Sequence, residues 1–390
     1  MRETARPTLL FYCQHSLGIG HLTRSFALVE ALTPHFQVVF LNGGRLPPGV
    51  PVPGHMERID LPPLGMDDGH TVVSRDGVLD VTAARAERRR LIDDAVHRTR
   101  PAVLLVELFP FGRKKFANEI LPMIRAARRQ PGVPAKVVCS LRDILVDARP
   151  DQQRHDDRAR WLVDRYFDAV IVHSDPDFAR LEDSFRPGRA MRTPVHHSGF
   201  VVPAREWQGD GPRGPHLLVS AGGGIVGEAL FQCVIEARAL LTRPLPLRLI
   251  AGPFLPEAAW QSLQRRVAGL ADVELLRHVP DMVAQMRSAR ASLSQCGYNT
   301  ALDLVVSGVP ALVAPYETAT ENEQRGRAER LASLGAMQCL PRDALHPGAL
   351  AAAIERLLGF QPRPAALALD GAQRSAAILR VLIESPRACP

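Results

Sequence analysis

The chain has 390 residues, 46% hydrophobic, 23% charged and 5% aromatic, with a net charge of +7. That length exceeds one ordinary hydrophobic core and suits two domains of under about 200 residues each, and the composition excludes a disordered chain. No apolar run approaches the roughly 20 residues of a bilayer span. The N-terminal stretch lacks the apolar segment and small-residue site of a secretory leader, and the six cysteines contain no CxxC pair, so a reduced, cytoplasmic protein is expected.

Short apolar runs alternate with amphipathic stretches, the pattern of parallel α/β sheets. In chain order the first half offers strands at TLLFYCQ (8–14), QVVFL (37–41), AVLLVE (102–107), AKVVCSL (135–141) and AVIVHS (169–174). Helical patterns fall at 21–32, 82–98 and 158–167. The basic excess gathers in RAERRR (85–90) and GRKK (112–115). Such runs serve an anionic ligand, a peripheral contact with an anionic membrane, or no more than a solvated helix face. Specific nucleic-acid recognition is not expected, because aromatics are scarce and neither zinc-finger spacing nor an aromatic RNP-type strand is present.

The stretch SGFVVPAREWQGDGPRGP (198–215) is rich in Gly and Pro and has the composition of a linker. After it the pattern restarts, with strands at HLLVSAG (216–222), LRLIAG (247–252), VELLRH (273–278), ASLSQ (291–295) and ALVAP (311–315). The expectation is an N-terminal Rossmann-like domain over 1–198, a linker over 199–214 and a second Rossmann-like domain over 215–370. A C-terminal helix within 371–390 would cross back onto the first domain.

Parallel sheets bind ligands at the carboxyl ends of their strands, so the loops there carry the chemistry. HSLGIGHLTRS (15–25) brackets a tight turn with Gly18 and Gly20 before a helix opens at about His21. It is an anion site or a plain strand–helix turn; Thr23 at the third glycine position removes the dinucleotide fingerprint. An imidazole there could take a proton from a hydroxyl. VELFPFGRKKF (106–116) supplies Glu107, two phenylalanines, Arg113 and two lysines; SLRDILVD (140–147) supplies Arg142 and Asp143; VHSDPDF (172–178) supplies His173 and Asp175. These groups either converge on the side that His21 faces or serve singly as loop caps and surface ion pairs.

In the second half SAGGGIVGEAL (220–230) sets Gly222, Gly223 and Gly224 ahead of Gly227 at a helix start, without the P-loop lysine. Such a backbone can approach a phosphate closely. SQCGYNTALD (294–303) puts Gly297 and the cap candidate Asn299 before a helix. Thr300 and Asp303 share one face of that helix, and Asp303 is either a ligand for a diol or a surface carboxylate. PYETATENEQ (315–324) adds Glu317, Glu321, Glu323 and Gln324. No GxSxG elbow and no HxxxH with a carboxylate partner is present, so neither an α/β-hydrolase nor a metal site is expected.

Taken together, GIGH near the N-terminus, SAGGG after the linker, and GxxTxxD followed by GVP and EQ resemble a GT-B glycosyltransferase of the MurG-like family, whose C-terminal half is of the family 28 type. The resemblance implies an α/β fold of two Rossmann-like domains with a deep interdomain cleft. It also implies a nucleotide-sugar donor, a UDP-sugar foremost, and a small-molecule or lipid-linked acceptor. The expected reaction is metal-independent inverting transfer without a cofactor. Gly222, Gly223 and Gly224 would face the diphosphate, Gly297 and Thr300 would line the donor site, Asp303 would bind the ribose, and Glu323 and Gln324 the sugar. His21 would be the base, with Glu107 or Asp143 as alternatives, and Gly18, Gly20, Arg113 and Arg142 would lie on the phosphate or acceptor side. The sequence departs from the family in carrying Asp303 for a glutamate and EQRGR for QQxxN, with Arg327 in the asparagine position. A nucleotide-sugar epimerase using Glu317, Glu321 or His278, and a non-catalytic binder of nucleic acid or anionic surfaces, are the rival readings.

Overall fold

Residues with apolar side chains in unbroken runs form strands buried on both faces, and the two series of runs give two sheets. The computed structural model describes residues 6–15, 20–46, 50–67, 71–204 and 211–384. It falls into two units, Met1–Leu145 with Asp151–Ala204 and Leu367–Pro390, and Val146–Pro150 with Arg205–Ala366. Gly18 and the linker residues 205–210 lie outside the described residues.

The first unit runs β1 (Thr8–Cys13), α1 (Gly20–Leu32), β2 (Gln37–Asn42), β3 (Met56–Asp60), β4 (Leu64–Met66), β5 (Val72–Ser74), α2 (Val81–Thr99), β6 (Val103–Glu107), α3 (Ala117–Arg129), β7 (Lys136–Arg142), α4 (Gln152–Tyr166), β8 (Ala169–His173), α5 (Leu181–Ser184) and β9 (Val195–His197). Its main sheet has the order β3-β2-β1-β6-β7-β8-β9, parallel throughout. Alternate residues explain the double burial. Leu10, Tyr12, Leu104 and Val106 enter a core with α2 and α3, whereas Leu9, Phe11, Val103 and Leu105 enter one with α1 and the last helix.

The second unit runs β10 (Leu217–Ser220), α6 (Glu228–Arg238), β11 (Leu247–Ile250), α7 (Glu257–Val267), β12 (Val273–Leu276), α8 (Met282–Ser288), β13 (Ala291–Ser294), α9 (Tyr298–Ser307), β14 (Ala311–Val313), α10 (Glu323–Ser333), β15 (Gln338–Cys339) and α11 (Pro347–Leu357). Its sheet is also parallel, in the order β12-β11-β10-β13-β14-β15. The chain then returns to the first unit, where α12 (Gly371–Glu384) buries Ala372, Ala376 and Leu379 in the core that α1 shares. Phe200 N–H donates to Ala368 O at 2.7 Å, and Ala368 N–H to Asp175 Oδ2 at 2.9 Å, which pins the returning segment.

Several elements differ from the sequence reading. β3 was not expected because Met56–Asp60 is half exposed and mostly polar at the sheet edge. The α3 helix carries Pro122 inside it, and α4 begins six residues earlier than 158 on a polar first turn. Arg88 departs furthest from expectation, for RAERRR is no plain solvated face. Its side chain is fully buried and all five guanidinium N–H donors are used. Nε and Nη2 bond Glu119, Nη1 reaches Gly43 O at 3.0 Å and Pro62 O at 2.9 Å, and Nη2 also reaches Gln14 Oε1 at 2.6 Å. Tyr12 donates its hydroxyl to Glu119 Oε1 at 2.5 Å. This network fixes Gln14 where β1 ends. Breaking a buried pair on one side strands a charge, so Arg88→Met should lower stability by about 3–5 kcal/mol. Urea unfolding checks this, and adding Glu119→Gln should restore part of the loss; a change below about 1 kcal/mol for Arg88→Met would contradict the assignment.

Candidate functional site

Two groups of predicted residues assemble at strand carboxyl ends, one in each unit. In the first, α1 places His21 and Arg24 three residues apart, on one face. Both bond the same atom: Glu107 Oε1, at the end of β6, lies 2.6 Å from His21 Nδ1 and 2.5 Å from Arg24 Nη2. Glu107 is fully buried and Arg24 nearly so, whereas the His21 side chain keeps 17% of its surface open. Burial pushes the Glu107 carboxyl up, but His21, Arg24 and Arg113 outweigh it and hold the group at about 2. With Glu107 ionised, the short contact requires the hydrogen on His21 Nδ1, and Nε2 is left as the lone-pair nitrogen. Burial pushes His21 itself down to about 4, against the pull of Glu107.

Of the three base candidates, His21 alone has open surface, since Glu107 and Asp143 are both fully buried. Gly20 is the first residue of α1. Arg142 closes β7, and Arg113 sits in left-handed backbone at φ +57°. Other expected members are taken up in structural contacts. Phe109 and Phe111 are core residues, packed on Phe167 and Phe185. His173 is 1% exposed and spans two serines, with Nε2 2.7 Å from Ser140 Oγ and Nδ1 3.0 Å from Ser198 Oγ. Burial takes it down to about 3, so it is a neutral structural bridge. Asp175 is a turn and tether acceptor, through Asp177 N and Ala368 N.

In the second unit the loop after β10 is shaped by its glycines. Gly222 and Gly224 take φ of +57° and +93°, and a Cβ on Gly224 would lie 2.3 Å from Ala251 O. The glycine run therefore has a packing reason beside any ligand. A Cβ on Gly222 would lie 3.2 Å from Thr300 Oγ1, so the glycine loop and the first turn of α9 meet directly. Gly297, not Asn299, is the N-cap of α9: the helix starts at Tyr298 and places Asn299 inside its first turn. Asp303 follows Thr300 one turn on.

Other polar residues in and after SQCGYNTALD brace the loops. Gln295 Nε2 donates to Val226 O at 3.0 Å and so ties the glycine loop to the end of β13. Gln324 Oε1 accepts from Cys296 N at 3.0 Å and Tyr316 N at 3.2 Å, bridging the loops after β13 and β14. Its carboxamide nitrogen keeps two donors beyond those bonds. Glu323 opens α10, and Arg327, nearly fully buried, donates to Cys296 O at 2.8 Å, so the departure at the asparagine position is a strut beneath the same loop. Glu317 is held by Arg325 at 3.3 Å and Arg342 at 2.7 Å, on the wall of a cavity of about 440 Å³.

Among the described residues no group of three or more His, Cys, Asp or Glu is placed to hold a metal ion. Among them too, no helix is long and apolar enough to cross a membrane, and the five cysteines are free thiols.

Residues 218–379 match the glycosyltransferase family 28 C-terminal domain. The chain is 31% identical over 212 residues to a UDP-N-acetylglucosamine–N-acetylmuramyl-(pentapeptide) pyrophosphoryl-undecaprenol N-acetylglucosamine transferase of Methylobacterium sp. (strain 4-46), covering 50% of this chain and 56% of that protein. It is 33% identical over 219 residues to the transferase of that name from Nitrosococcus oceani, covering 50% and 59%. The chain thus spans little more than half the length of the curated relatives it matches. Among solved structures it resembles Acinetobacter baumannii MurG (TM-score 0.56, 16% identity, 96% of this chain and 100% of that one). It also resembles a UDP-glucosyltransferase from Polygonum tinctorium (TM-score 0.60, 19% identity, 98% and 99%). At these identities the likeness is one of fold, the GT-B glycosyltransferase fold.

Two stability outcomes follow. The unfolded chain protonates His21 and His173 near the ordinary 6.5, the folded one only near 4 and 3. Stability should therefore be complete above about pH 6.5 and fall as the pH drops from there toward 3. Urea midpoints across that range check this: His173→Gln should flatten the slope, and an unchanged slope in both His173→Gln and His21→Gln would contradict it. Gly224→Ala should lower the midpoint clearly, because both its φ and its contact with Ala251 forbid a Cβ.

Proposed function

We propose, for a chain that carries a glycosyltransferase family 28 C-terminal domain on the GT-B fold, that it transfers a sugar from a nucleotide-diphosphate sugar to an acceptor hydroxyl with inversion. A UDP-sugar is the donor of first choice, in keeping with the UDP-N-acetylglucosamine in the relatives' names. The observation that carries transfer, as distinct from donor binding alone, is the His21–Glu107 pair: a half-buried imidazole held at 2.6 Å by an ionised, fully buried carboxylate.

In this reading His21 Nε2 takes the proton from the acceptor hydroxyl as its oxygen bonds to the anomeric carbon. The bond from that carbon to the diphosphate oxygen breaks, and its electron pair leaves with the nucleoside diphosphate. The imidazolium is met by Glu107, which orients the ring and takes no proton itself. Glu107 is thus a positioning residue, and Asp143, fully buried, has no part in the proton transfer. Negative charge developing on the leaving group is met by the Gly222–Gly224 loop and the N-terminus of α6, without a metal. Asp303 binds the ribose, Gly297 and Thr300 line the donor, and Glu323 and the Gln324 amide face the sugar. Arg113, Arg142 and Gly20 stand on the acceptor side. The acceptor is a small molecule or, as in the relatives' names, a lipid-linked one, which would bring a cytoplasmic chain to the membrane surface through its basic residues.

A panel of nucleoside diphosphates and nucleotide sugars tests the donor by thermal shift, since a ligand that binds the folded state raises its apparent stability. One member should raise the midpoint, and Asp303→Ala should weaken that ligand about tenfold or more; wild-type affinity in the variant would remove the ribose role. His21→Ala should lower transfer by about 100-fold or more with donor binding intact. Interconversion of epimers by the pure protein with donor alone would replace transfer by epimerisation.

A further inference from the structure

A histidine beside a lone carboxylate would be drawn toward its charged form, because the imidazolium gains the carboxylate's full attraction. A base that is already protonated at working pH accepts nothing. The pair in this protein is not alone. Arg24 Nη2 shares Glu107 Oε1 with His21 Nδ1 and itself lies 3.4 Å from that nitrogen. The three groups come from two elements, α1 and the end of β6, and Arg24 is 2% exposed, so solvent screens little of its charge.

We propose that Arg24 is a positioning residue that helps to keep His21 a neutral base at neutral pH: it shares Glu107 Oε1 with the imidazole, which must present its Nδ1–H to the ionised carboxylate, and its fixed charge joins burial in opposing the carboxylate's pull on a second proton. This rests on the reading of His21 as the base. Burial disfavours the imidazolium most; Arg113, from the loop after β6, and then Arg24 act in the same direction, and Glu107 opposes them. Three buried groups that Glu107 influences on β1, β7 and β8 are themselves uncharged at neutral pH. Burial pushes Cys13 on β1 up to about 12 and Cys139 on β7 well above its usual range, and takes His173 on β8 down to about 3.

The trade is basicity for availability. Each encounter meets an imidazole ready to accept a proton, and the conjugate acid, stabilised by Glu107 yet opposed by Arg24, releases it readily after transfer. The protein itself is enough to test this, through selectively ¹⁵N-labelled histidine. In the wild type at pH 7 His21 should show the Nδ1–H tautomer with Nε2 unprotonated, and should stay neutral to below pH 5. In Arg24→Met its midpoint should rise by about one pH unit or more, and the acid limb of the kcat/KM profile should rise with it. Arg24→Lys, which keeps the charge, should leave both near the wild-type position. A role confined to packing would lower stability in both variants and move neither midpoint. An Arg24→Met midpoint equal to the wild type's would overturn the proposal. So would a wild-type His21 already charged at pH 6.5, which needs no variant that folds. Because the ring titration requires neither donor nor acceptor, the proposal can stand where transfer fails, and fall where transfer succeeds.

Discussion

One carboxylate oxygen holds the first unit's site together. Glu107 Oε1 accepts from an imidazole and a guanidinium at once, on a side chain that is fully buried. A buried carboxylate is tolerated only with such partners, and each partner is in turn fixed by it. The parallel sheet makes the meeting possible. β1 and β6 are neighbours, so the helix that follows β1 starts beside the last residue of β6. The register that pairs Tyr12 with Val106 therefore brings a histidine on α1 and a glutamate 86 residues later within hydrogen-bond reach.

The second unit solves a different problem by different means. A loop that approaches a diphosphate has to be bare backbone, and bare backbone has little to hold its shape. Gln295, Gln324 and Arg327 supply the missing constraint, each bonding a main-chain group of the loops after β10, β13 or β14. The glycines meanwhile close-pack on Ala251 and Thr300. The polar residues around SQCGYNTALD are thus in large part scaffolding for the loops of the proposed donor site, with Thr300 and Asp303 one turn apart on α9.

What was legible beforehand follows from what each signal measures. Runs such as LLFYC and VLLVE are buried on both faces, so they stood out without help from periodicity. MERID is an exposed edge and EILPM part of a helix with a proline inside it, and local pattern is weak for both. Loop positions at strand ends singled out His21 and Glu107, which the structure joins at 2.6 Å, but not which of the two is fully buried, because burial is a property of the assembled sheet. His173 and Asp175 had the same local credentials as His21. Ser140, Ser198 and Ala368, far away in sequence, turn them into structural groups. Arg88 and Arg327 were hidden for a related reason, since nothing in RAERRR or EQRGR marks the one arginine that is buried. Arg24 carried a fainter signal, three residues after the histidine on the same helical face.

The chemistry assigned to His21 has a stereochemical consequence that no other part of the account shares. A single displacement driven by one base inverts the anomeric carbon. The direct measurement is the anomeric proton coupling of the new glycosidic linkage in the product formed from an α-linked nucleotide-sugar donor, read by ¹H NMR. Inversion gives a β-linked product. An α-linked product would contradict it, because retention requires a second displacement or a same-face mechanism that the His21–Glu107–Arg24 arrangement does not provide.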